Sequence, residues 1–229
     1  MMPSAAELEI ISLSLKVAMT AVLFSLPLGV GAAWLLARYR FPGRDLVSGL
    51  IHLPLVLPPV VTGYVLLSLF GRSGPIGAWL EPLGIVFAFD WTGAALAAGI
   101  MGFPLMVRSV RLAFDMADSG LEQAAATLGA SPLQRFLTVT LPLALPGVIA
   151  GAVLAFAKAL GEFGATITFV SSIPGETRTL PLAIYSLTQV PGGEAAALRL
   201  VLISAGVSIL ALVVSEVMVR RATGGGGRT

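Results

Sequence analysis

Charge-free stretches divide this chain into segments. Residues 17–37 lie between Lys16 and Arg38 without a charged side chain, and residues 46–71 lie between Asp45 and Arg72 with only His52 as a titratable interruption. Residues 91–107 form a shorter run that extends outward through the apolar stretch 84–89. Residues 143–170 are apolar apart from Lys158 and Glu162, and a last run, 200–215, continues toward Arg220. A helix needs about 20 mainly apolar residues to cross a bilayer. The pattern therefore predicts an all-α, polytopic membrane bundle of about five transmembrane helices, one domain over residues 1–229 with a flexible glycine-rich tail at 222–229. The first run is too long and too poor in flanking cations for a cleaved signal peptide, so it reads as a retained span.

The segment between the third and fourth runs, at about 115–141, has a different texture. Ser119 and Glu122 have the spacing of a capping box, with Ser119 as N-cap. Leu121, Ala124, Ala125 and Leu128 follow at i, i+3, i+4 and i+7, which is one helical face. Gly129 suits the left-handed position that ends a helix. A second start comes at once, with Ser131 as N-cap, Pro132 at the first helical position and Gln134 three residues after the cap. The spacing predicts two short helices joined by a sharp turn. The small apolar face of the first has two readings, packing on the protein's own spans or docking to another surface.

Composition narrows the chemistry. Of the 229 residues 56% are hydrophobic and only 11% charged, whereas soluble domains carry about 25% charged residues. The absence of cysteine excludes disulfides and thiolate metal sites, and a single histidine, His52, excludes a multi-histidine site within one chain. A net charge of +2 gives no basis for nucleic-acid binding. No phosphate loop, zinc-protease motif or nucleophile elbow occurs, so any ATPase must be a separate chain and a membrane enzyme is the weakest class.

The cations are unevenly placed. In a five-span chain Arg38, Arg40, Arg44, Arg108, Arg111, Arg135, Arg220, Arg221 and Arg228 share one side, against Arg72, Arg178 and Arg199 on the other. The positive-inside rule then puts the N-terminus outside, the C-terminus and residues 115–141 in the cytoplasm. Pro27, Pro54, Pro58, Pro59, Pro104, Pro142 and Pro146 fall within or beside the spans. They read either as ordinary kinks or as a pathway lined by bent helices. Lys158 and Glu162, four residues apart in a span, are expected to pair, either as a neutral structural pair or as part of a pathway. Thr62, Ser68, Thr166, Thr168, Ser171 and Ser172 offer hydroxyls for interhelical hydrogen bonds or for an anion's passage. His52 reads as a cap or interface group.

One spacing carries more. Gln123-Ala124-Ala125 is followed by three residues and Gly129, and nine residues later by Val139-Thr140-Leu141-Pro142. This resembles the cytoplasmic signature of ABC importer permeases, with Gln123 where the family often has Glu. The resemblance implies a type I importer permease fold in which the hairpin is the coupling helix. Leu121, Glu122, Gln123, Ala124, Ala125, Leu128 and Gly129 would face the ATPase, with Glu122 serving mainly the cap. Residues 52–64, 160–185 and 191–194 are similar to the molybdate branch of that family, with tungstate as a co-substrate and sulfate or thiosulfate as the nearest alternative; a stand-alone ion-coupled carrier is a further one. The resemblance also implies a homodimer in the bacterial inner membrane, two ATPase subunits that hold ATP and magnesium, an external binding protein, and no cofactor in this chain. It places the stretch 161–165, with Glu162 and Phe163, near the path; Thr62, Lys158, Thr166 and Thr168 are the further candidates for the path or its gate.

Overall fold

The computed structural model describes residues 4–224. The helices are α1 (Ala5–Arg38), α2 (Arg44–Val56), α3 (Pro59–Phe70), the short α4 (Gly77–Leu80), α5 (Trp91–Met116), α6 (Ser119–Thr127), α7 (Pro132–Arg135), α8 (Leu141–Leu160), α9 (Gly164–Val170), α10 (Leu180–Thr188) and α11 (Glu194–Gly224). A π-turn, Phe136–Thr140, joins α7 to α8. No strand occurs among the described residues. Among the described residues four stretches are long and apolar enough to cross a membrane: Ala5–Arg38, Trp91–Met116, Pro132–Leu160 and Glu194–Val214. The bent pair α2–α3 makes a fifth if it counts as one span. Of the tail expected at 222–229, residues 222–224 continue α11 and residues 225–229 lie outside the described residues.

α1 begins at a capping box, in which the Glu7 N–H donates to Ser4 Oγ and the Ser4 N–H donates to the Glu7 carboxylate. Its 34 residues make about 51 Å, more than the ~30 Å hydrocarbon core. Counting from Arg38, about 33 Å of helix ends at Lys16. There the Lys16 ammonium sits 3.5 Å over the Trp91 ring, an aromatic placement typical of a membrane interface. The turns beyond Lys16 are tied to the other helices. Glu7 pairs with Arg199 of α11 at 3.1 Å, and Ser14 Oγ accepts the Leu180 N–H at the start of α10 at 2.7 Å.

α5 is the central helix, between α1 and α8. Ala94, Ala95, Ala97, Ala98 and Met101 belong to one buried cluster and Met106, Val107, Val110 and Phe114 to a second, nearer the hairpin. Small residues let these backbones approach closely, the usual device where lipid supplies no hydrophobic drive between helices. A Cβ on Gly102 would lie 3.1 Å from the Ala155 carbonyl oxygen, which sets the antiparallel register of α5 and α8. Lys158 is thus level with Gly99, about 12 Å inward of Trp91.

Two of the expected spans are not single helices. The run 46–71 breaks at Leu57 and Pro58, and α2 meets α3 at a bend of 112°. Leu57 and Pro58 each precede a proline, which disfavours the α-region; both are extended, with ψ of 142° and 133°. The run 143–170 breaks at Gly161–Phe163, after which α9 resumes. It also starts earlier than expected, because α7, the π-turn and α8 form one helical stretch over Pro132–Leu160. The π-turn precedes Pro142, which has no N–H to give the preceding turn.

Candidate functional site

The two breaks meet. A Cβ on Gly164 would lie 2.7 Å from the Pro59 side chain, and one on Gly63 would lie 2.5 Å from the Ala165 carbonyl oxygen and 2.9 Å from Thr168 Cβ. Glycine at 63 and 164 is what lets α3 and α9 touch. Broken helices within a membrane leave backbone groups without intrahelical partners, and such breaks persist where protein or a cavity satisfies them.

The predicted Lys158–Glu162 pair forms at this junction. Lys158 Nζ is 2.5 Å from one Glu162 oxygen, and the other oxygen accepts the Ala165 N–H at 3.1 Å. The pair therefore straddles the break, joining the last turn of α8 to the first turn of α9. The Glu162 side chain is only 1% exposed, whereas Lys158 keeps 30%. Glu162 neutralises Lys158, so the junction does not present a bare cation that would trap an anion.

The other expected pathway residues divide. Thr62 is buried on α3 and its Oγ1 has no hydrogen-bond partner among the described residues. Thr166 is buried on α9, and Thr168 Oγ1 is already committed to the Gly164 carbonyl at 2.9 Å. Phe163 packs on Tyr185 of α10, with ring centroids 5.1 Å apart. Sequence reasoning missed Tyr185, since nothing in local spacing links residues 163 and 185. His52 is occupied within α2, its Nδ1 2.7 Å from the Ser48 carbonyl oxygen. A cavity of about 880 Å³ between α1, α2 and α5 lies elsewhere. It is lined mainly by apolar groups such as Phe24, Leu28, Leu50, Trp91 and Phe103.

The hairpin is built from local signals with one correction. Gly129 has φ +84°, and Ser131, Pro132 and Gln134 form the second start with a complete capping box. The first N-cap, however, is Asp118, whose carboxylate accepts the Gly120 N–H at 2.7 Å; Ser119 is already helical. Glu122 is consequently not a capping residue. Its Oε1 accepts from Arg38 at the end of α1 (2.8 Å) and from Thr140 Oγ1 before α8 (2.6 Å). With that side of α6 clamped, Leu121, Ala124 and Leu128 are left facing outward. No residue of α6 is buried, and Leu121 and Leu128 are 49% and 88% exposed. Gln123, Ala124 and Gly129 are exposed and Ala125 half-buried. Most of the small apolar face is left uncovered by the protein's own spans.

The model for binding-protein-dependent transport system inner membrane components matches residues 25–224. The chain belongs to that family. It is 59% identical over 215 residues to the molybdenum transport system permease protein ModB of Escherichia coli (strain K12), covering 93% of this chain and 94% of the relative. Identity to the ModB of Haemophilus influenzae is 55% over 216 residues, covering 94% of each. The sulfate transport system permease protein CysT of E. coli (strain K12) is more distant, 38% identical over 194 residues, with 84% of this chain and 70% of the relative covered. Among solved structures, the fold matches a bacterial ABC transporter for alginate import (TM-score 0.76, 19% identity, 96% of this chain and 81% of that one). It also matches the inward-facing MetNI methionine ABC transporter (TM-score 0.73, 18% identity, 96% and 100%). The chain is thus an inner-membrane permease component with an ABC importer fold.

Proposed function

We propose that this chain is the membrane subunit of an ATP-driven importer that carries molybdate, with tungstate as co-substrate, into the cytoplasm. The observation that carries the reading is the outward-facing small apolar surface of α6, held by the Glu122 clamp at the head of one helical stretch that runs to the break at Gly161. The greater likeness to molybdenum than to sulfate permeases supports the substrate. The chain works as a homodimer with two ATPase subunits that bind ATP and magnesium, and an external binding protein delivers the anion. Its N-terminus is outside and its hairpin inside. The chain itself is not the catalyst.

The geometry supports a lever. Closure of the ATPase pair displaces α6; the Glu122 contacts pass that displacement to α1 and, through Thr140, to α8. At the far end of α8 the Lys158–Glu162 pair and the Gly161–Phe163 break respond, shifting the balance between outward-open and inward-open states. A dianion then passes a neutralised junction of hydroxyls and backbone groups, where weak binding favours release. The test is uptake of labelled molybdate by cells that lack their own importer and express this chain with its ATPase and binding protein. Uptake that resists excess sulfate and disappears with Gly129→Asp is expected. Loss of uptake in modest sulfate would move the substrate to sulfate, and uptake indifferent to Gly129→Asp or to the ATPase would favour a stand-alone carrier.

A further inference from the structure

The loop between α9 and α10 is more constrained than a connection requires. Ser171 has φ 63° and ψ −165°, a backbone region that is essentially reserved for glycine and costs about 1–3 kcal/mol elsewhere. The fully buried Thr177 holds it there. Thr177 Oγ1 accepts the Ile173 N–H at 2.9 Å and lies 3.2 Å from the Ser171 carbonyl and 3.3 Å from the Val170 carbonyl. The loop sits at the membrane face opposite the hairpin, because a Cβ on Gly93, in the first turn of α5, would lie 2.8 Å from Val170 Cγ1.

What this loop positions is Arg178. Its Nε donates to Ser172 Oγ at 3.3 Å, Ser172 Oγ is 3.4 Å from Ser186 Oγ, and Ser186 donates to the Leu182 carbonyl at 2.8 Å. The protons of this relay all run away from the guanidinium, which is fixed through Nε alone. Among the described residues no carboxylate forms an ion pair with Arg178. An Arg oriented through Nε, with its Nη edge uncommitted, has the fork geometry that takes two oxygens of an oxyanion. The same helix, α10, carries Tyr185, which packs on Phe163 beside Glu162.

We propose that Arg178 forms an outer receiving site for a tetrahedral oxyanion, with Ser172 and Ser186 as positioning residues, outward of the Lys158–Glu162 junction. This deepens the anion-import reading and rests on it. A single guanidinium makes a weak station, which suits an anion that must move on.

The test measures binding of labelled molybdate and tungstate to the purified permease–ATPase complex without the binding protein, and separately the affinity of loaded binding protein for the complex. Arg178→Gln is expected to weaken anion binding at least tenfold, Arg178→Lys to restore part of it, and the Ser172→Ala, Ser186→Ala pair to cause an intermediate loss, all with docking unchanged. Anion binding unaffected by Arg178→Gln would overturn the proposal. So would a loss of docking with anion binding intact, which would make Arg178 a contact for the binding protein. Neither result touches molybdate uptake by the unaltered transporter, so failure here and failure of the import reading are told apart.

Discussion

Glu122 and Glu162 make the same kind of contact in opposite surroundings. Each carboxylate accepts from a cationic side chain and from one further donor, Arg38 and Thr140 for Glu122, Lys158 and the Ala165 N–H for Glu162. Glu122 and Arg38 keep 23% and 22% of their side chains exposed, whereas Glu162 keeps 1%. Water screens the first pair, so its worth is positional: it decides which face of α6 points outward. The second pair has little water to fall back on, and its loss strands a charge inside the bundle. On the import reading proposed above, stability and function separate in the hairpin and coincide at the junction.

The sharpest way to break this comparison is Leu128→Asp. The side chain is 88% exposed, so thermal stability should be unchanged while uptake falls by tenfold or more; a parallel loss of stability would mean that the face is structural. Glu162→Ala should cost up to about 3 kcal/mol, discounted for the partial exposure of Lys158, and abolish uptake. Adding Lys158→Ala should recover part of the stability, and equal melting temperatures for the single and double variants would show that the two charges do not act as a pair. Glu122→Gln should cost about 1 kcal/mol or less, with the difference shrinking as salt rises, while uptake falls more than stability does. A salt-independent loss as large as that of Glu162→Ala would erase the distinction between the two regions. The smallest effect is expected for Thr62→Val. Its hydroxyl is buried without a partner among the described residues, so stability should hold or rise slightly, and a selective fall in uptake would place that hydroxyl on the path.

The hairpin was the most legible part of the site, because turns and caps are decided within a few residues. Gly129, Ser131, Pro132 and Gln134 behave as their spacing predicts. The error at Ser119 has a physical origin. Asp118 and Ser119 are both good caps, and a carboxylate 84 residues from its partner in sequence settles the matter by drawing Glu122 to Arg38. The charged pair at 158 and 162 was also legible, since four residues separate its members on one helix. The break beside it was not. Gly161 tolerates either a helical or a broken path, and what favours the break is the company of α3 at Gly63 and Pro59, a hundred residues earlier.

By itself the sequence determined that this protein lives in a membrane, where its apolar runs lie, and that a capped hairpin separates the third and fourth runs. These are matters of transfer free energy and local backbone sterics, which need no distant partner. Only the tertiary structure decided that two breaks adjoin, that α6 shows its apolar face to the outside, and that Ser172 and Ser186 aim Arg178. Each depends on groups brought together by folding, and a hydrogen bond near 3 Å is invisible in a sequence whose partners stand 14, 84 or 166 residues apart.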